Sequence, residues 1–186
     1  MRRWVAVIAL AAVFGAADQL LGARSYVVGF WATGVSLLSA PWLLAAFFAG
    51  WSQPTARGAA ILGAASTLAA LVGYWVMTLS PIEGAAFTLA GVRGLFVGQA
   101  VYAAGAVVAG PLFGGLGHRW RTRRDWVSAL AAALVVCCEP LAHAAVGTAV
   151  SFRGVWAAEV GVGLSMALYV VVAVSRRATA GPSTRP

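Results

Sequence analysis

Residues 126–146 read WVSALAAALVVCCEPLAHAAV, and this stretch decides the fold. At a rise of 1.5 Å per residue a helix of this length spans ~30 Å, the thickness of a bilayer's hydrocarbon core. No charge appears until Glu139, so the run reads as a membrane span with a polar group deep inside it. Working outward, five more runs have the same character: Trp4–Gly22, Val35–Trp51, Gly58–Leu79, Gly94–Gly117 and Gly154–Val174. The start of the second is open, because residues 26–31 are apolar too. The whole chain of 186 residues is 61% hydrophobic and 10% charged. Soluble domains are roughly 45–50% apolar and about 25% charged, so neither a water-soluble globule nor a disordered chain fits. The expectation is an all-α integral membrane bundle of six transmembrane helices over residues 1–175, with residues 176–186 as a disordered tail.

The charges orient this bundle. All thirteen basic residues are Arg, against five acids, giving a net charge of +8. With the N-terminus inside, the inner segments hold Arg2, Arg3, Arg57, Arg119, Arg121, Arg123, Arg124, Arg176, Arg177 and Arg185. The outer segments hold Arg24, Arg93 and Arg153. That asymmetry follows the positive-inside rule, so both termini are expected in the cytoplasm and the chain in the cell membrane as a multi-pass protein. It also accounts for the basic excess without nucleic acid. A competing reading of the N-terminus is a cleavable signal peptide, from Arg2-Arg3, an apolar stretch and Gly15-Ala16-Ala17.

Three acids fall inside spans: Asp18, Glu139 and Glu159. An intramembrane acid is costly and marks a functional site by default. Counting helical rise places each ~20 Å from the inner side, in one layer in the outer part of the bilayer. His143 shares a helix face with Glu139, four residues on. Gln99, Tyr102 and Tyr74 fall in the same layer. These seven residues are the candidate ligand-binding set, an outward polar pocket above an apolar plug. The alternative is that the acids snorkel to water, or that Glu139-Pro140 forms a kink whose carboxylate satisfies freed backbone groups.

Several chemistries lack their residues. Cys137 and Cys138 are adjacent in an apolar run, and no metal-ligand spacing accompanies them. No phosphate-binding glycine motif occurs in strand–helix context, and no nucleophile–base pair is evident. No cofactor, metal or enzymatic activity is therefore expected. Small-residue spacings at Ala12/Ala16, Gly94/Gly98 and Gly110/Gly114 suit close helix approach, and Gly110-Pro111 marks a bend.

Two resemblances add to this reading. The segments SLLSAPW at 36–42, GYW at 73–75 and GPLFG at 110–114 resemble an uncharacterised actinobacterial family of small multispan membrane proteins over about half the chain. The overall plan is similar to the substrate-binding S-components of energy-coupling factor (ECF) vitamin transporters, as is the spacing around QPTARGA at 53–59. That resemblance implies six spans, an outward binding pocket and an energising partner made of a coupling protein and an ATPase. It also implies that Ala12 and Ala16 face the coupling protein. The combined expectation is a small-molecule binding or transport subunit taking a cationic or aromatic ligand from the lipid bilayer's outer side. A proton-coupled carrier and a non-transporting scaffold are the rivals.

Overall fold

The computed structural model describes residues 2–145 and 153–179. They are 88% helical, with no strand among them. The helices are α1 (Arg2–Ala23), α2 (Ser25–Val28), α3 (Trp31–Ser36), α4 (Ala40–Trp51), α5 (Ala56–Thr78), α6 (Leu89–Gly98), α7 (Ala100–Arg123), α8 (Trp126–Ala145) and α9 (Arg153–Thr179). Among the described residues, α1, α5, α7, α8 and α9 are long and apolar enough to cross a membrane. At 12 residues, α4 is apolar but short.

Two runs that read as continuous in sequence are broken. The second divides into α3 and α4, with Leu37, Leu38 and Ser39 between them. Pro41 sits in the first turn of α4, where its missing N–H costs nothing. The fourth divides at Gln99 into α6 and α7. Gly91, Gly94 and Gly98 make α6 a weak helix, and the chain re-initiates at Ala100. By contrast α7 continues through Gly110-Pro111 as a single helix, so the interruption lies eleven residues earlier than the sequence marks it. At the C-terminal end α9 extends to Thr179, so residues 176–179 of the expected tail are helical. Residues 180–186 of that tail, and Val146, lie outside the described residues.

Backbone-to-backbone contact at glycines holds the centre. A methyl group on Gly15 of α1 would overlap the Ala70 carbonyl of α5, and one on Gly73 of α5 would overlap the Ala12 carbonyl. Gly63 is pressed in the same way on the Gly110 carbonyl of α7, and Gly114 on that of Ala59. On the other side of α7, Gly117 meets the Phe47 carbonyl and Gly50 meets Gly114. Thr67 of α5 donates its hydroxyl to the Ala106 carbonyl of α7 at 3.0 Å. Helices in lipid gain nothing from hiding apolar surface from one another, so close packing of this kind is what binds them. Gly94 and Gly98 face open space and take no part in it. Ala12 meets α5 through its backbone, so that part of the α1 stripe is occupied within the chain.

The ends of the bundle are distinct. At one, the Trp4 indole donates to Gln53 Oε1 at 3.0 Å, and Arg121 of α7 donates to the Ser52 carbonyl at 2.9 Å. The start of α1, the α4–α5 turn and the end of α7 therefore meet. At the other, Gln19 donates to Glu83 Oε2 at 2.8 Å and Arg24 to the Ile82 carbonyl at 3.2 Å. The end of α1 and the α5–α6 connection meet there.

Candidate functional site

A cavity of about 420 Å³ lies toward the second end, walled by α1, α4, α5, α7, α8, the end of α3 and the loop between α3 and α4. Ligand pockets run from ~300 to ~1,000 Å³, so its size suits a small organic molecule. Five of the seven candidate residues line it: Asp18, Tyr74, Gln99, Tyr102 and His143. They come from four helices and one helix junction. The break before α7 puts Gln99 at the cavity rather than in mid-helix. The interruption that sequence reading misplaces thus contributes a wall.

Asp18 is 9% exposed, and its Oδ2 has no hydrogen-bond partner. The Trp42 side chain lies against its carboxyl. Trp42 also stacks edge-on to Phe14 at 5.7 Å and lies 6.2 Å from the Tyr74 ring. Trp42 is among the lining residues that sequence reading passed over, with Ser36, Ser39 and Thr67. Its signal was present in SLLSAPW, where an indole follows the proline that starts α4. None of the described residues that line it is Arg.

Glu139 and Glu159 are buried, at 8% and 6% exposure, but neither lines this cavity. The single shared pocket for all three acids is therefore corrected by the structure. Glu139 reaches into the α3–α4 break, where its carboxylate accepts the backbone N–H of Ser39 and, at 2.6 Å, that of Ala40. Helix N-termini carry unpaired N–H groups and a partial positive charge, so a carboxylate is a strong cap there. His143 Nε2 stands 3.6 Å from Glu139 Oε1, and its ring lies 4.7 Å from that of Trp156. Both Ser39 and His143 line the cavity. Glu139 thus sits directly behind the cavity wall and fixes it.

Beyond Glu139 lies Glu159, whose carboxyl lies against that of Glu139. Glu159 lines a second cavity of about 620 Å³ with Trp31, Ala40 and Arg153. Leu38 lines both cavities, so the α3–α4 break is the partition between them. No group of His, Cys, Asp or Glu among the described residues has the arrangement of a metal site.

Compared with family models, with curated proteins and with solved structures, the chain has no significant match. The class it defines rests on its own features. It is an all-α bundle with the long apolar helices of a multi-pass membrane protein, enclosing a cavity with a buried carboxyl and aromatic walls.

Proposed function

We propose that this protein is a small-molecule binding or transport subunit of the cell membrane, and that the Asp18 cavity is its ligand site. One observation carries the reading. A buried polar atom without a partner is costly and rare, and here it belongs to a carboxyl that lines a cavity of ligand size. A six-crossing arrangement with both ends cytoplasmic, expected from the placement of the Arg residues, fits it. In that arrangement α3 and α4 together make the second crossing. Arg2, Arg3, Arg57, Arg119, Arg121, Arg123 and Arg124 then gather at the end opposite the cavity, which faces outward. With no nucleotide-binding motif in the chain, transport would draw on a partner such as a coupling protein with its ATPase, as in the ECF transporters its plan resembles.

Gly105 lines the cavity and has open space where a side chain would start. Gly105→Trp therefore fills the site without disturbing the helix contacts. Wild-type protein purified in mild detergent from its own membranes should release a small molecule on denaturation, detected by mass spectrometry. G105W should release none. Identical releases from the two would remove the ligand site from this cavity.

A proton-coupled carrier is the second reading, favoured by one arrangement. Glu139 holds the partition between the two cavities, and the Glu159 carboxyl and His143 lie beside it. Adding a proton to Glu139 weakens its grip on the start of α4. Glu159→Gln should abolish proton-driven uptake in proteoliposomes while leaving equilibrium binding intact.

A further inference from the structure

We infer that the Asp18 cavity selects organic cations, with the positive charge set between the Asp18 carboxylate and the faces of Trp42, Tyr74 and Tyr102. This rests on the cavity being a ligand site and names the chemical class of its occupant.

Three features converge on a cation. The first is the partnerless Oδ2 of Asp18 in a side chain nine-tenths buried. Trp42 lies against the carboxyl but leaves this oxygen unpartnered, and a positive charge entering the cavity that Asp18 lines offsets the cost of burying the carboxylate. The second is that no Arg is among the described residues that wall the cavity, whose one basic group, His143, stands 3.6 Å from Glu139. The nearest basic residue in sequence, Arg24, is spent on the Ile82 carbonyl, and Gln19 engages Glu83 instead of Asp18. In a chain of net charge +8, a cavity lined by an acid and by no Arg is the exception.

The third feature is the aromatic wall. Trp42 touches the Asp18 carboxyl on one side and stands 6.2 Å from Tyr74 on the other. Tyr74 in turn lies within electrostatic reach of both Asp18 and Tyr102. Aromatic faces attract cations through the ring quadrupole, most strongly for Trp and most of all when water is excluded. They repel anions for the same reason. A carboxylate alone would serve a small hydrated ion, whereas aromatic walls around it favour a bulky, weakly hydrated ammonium. His143 and Gln99 also line the cavity and offer polar contacts to a ligand with a hydrogen-bonding tail.

Two probes of matched size and opposite charge separate the possibilities: tetraphenylphosphonium and tetraphenylborate. Equilibrium dialysis against the full chain in detergent should give saturable tetraphenylphosphonium binding, displaced by tetraethylammonium. Tetraphenylborate should bind at least tenfold more weakly. Asp18→Asn should lower tetraphenylphosphonium affinity tenfold or more, and Tyr102→Ala several-fold. Tyr102 is 65% exposed, so its replacement leaves the packing intact and keeps the test valid should Asp18→Asn fail to fold. Gly105→Trp should abolish binding of either probe. If both probes bind equally and G105W blocks both, the cavity is a ligand site without cation selectivity and the inference falls alone. If G105W leaves all binding unchanged, the ligand-site reading falls with it.

Discussion

The two ends of this bundle treat polar groups in opposite ways. At the arginine-rich end they satisfy one another. Gln53 accepts from Trp4 and donates to Ser52, its carbonyl meets His118 Nδ1 at 3.1 Å, and Arg121 bonds the carbonyls of Trp51 and Ser52. Asp125 pairs with Arg119 at 2.9 Å and caps the start of α8 through Val127 and Ser128. At the other end, Asp18 Oδ2, Glu83 Oε1 and the indole nitrogens of Trp75 and Trp156 are buried without hydrogen bonds. Folding alone gives no reason to leave so many polar atoms unpaired on one side. The difference teaches that the described residues at one end pair their polar groups with one another, whereas those at the other leave several buried ones unpaired.

The most damaging way to break this comparison is to attack the seam that joins the two ends. Gly63→Ala and Gly73→Ala each push a methyl into a backbone carbonyl that cannot rotate away. Overpacking of this kind costs about 1–3 kcal/mol and sometimes more. Thermal unfolding in detergent should fall clearly for both, while Gly94→Ala and Gly98→Ala, which meet open space, should not lower it.

Next in size is the contrast between two buried acids. Glu139→Gln replaces a charged acceptor of two backbone N–H groups with a neutral one. Hydrogen bonds to charged groups contribute about 1.5–3 kcal/mol, so a drop of that order in unfolding free energy is expected. Asp18→Asn removes a charge whose Oδ2 bonds to nothing, and its melting temperature should hold or rise. A matched loss in both variants would mean that Asp18, like Glu139, is structural.

Topology sharpens the comparison without altering stability. With Cys137 and Cys138 replaced by Ala, single cysteines at Glu83 and Arg153 should react with an impermeant thiol reagent from outside intact cells. Cysteines at Thr55 and Thr122 should react only after lysis. The reverse pattern would put the unpaired end in the cytoplasm.

The smallest effect is the pH response of the arginine-rich end. The Ser128 hydroxyl, the Val127 N–H and Arg119 together hold the Asp125 carboxyl below its ordinary value of 3.8. A carboxylate depressed on folding stabilises above its unfolded value, and the contribution is lost as pH falls through the lower folded value. Asp125→Asn should therefore change the melting temperature slightly at pH 5–7 and not at all once the pH is well below 3.8.

Apolar run length and Arg placement determined a helical bundle with polar groups gathered toward one side, because span length and the cost of charge in hydrocarbon are local properties of the chain. They also pointed to Asp18, Tyr74, Gln99, Tyr102 and His143, since helical rise alone puts those residues in one layer. Only tertiary structure decided that Asp18 and Glu159 line two different cavities and that Glu139 lines neither. Asp18, Glu139 and Glu159 look alike along the sequence, yet Glu139 was claimed by two N–H groups a hundred residues away, at a break that apolarity concealed. Hydropathy reports how costly a polar group is in lipid. Which partner relieves that cost depends on where another helix happens to end, and no local pattern encodes it.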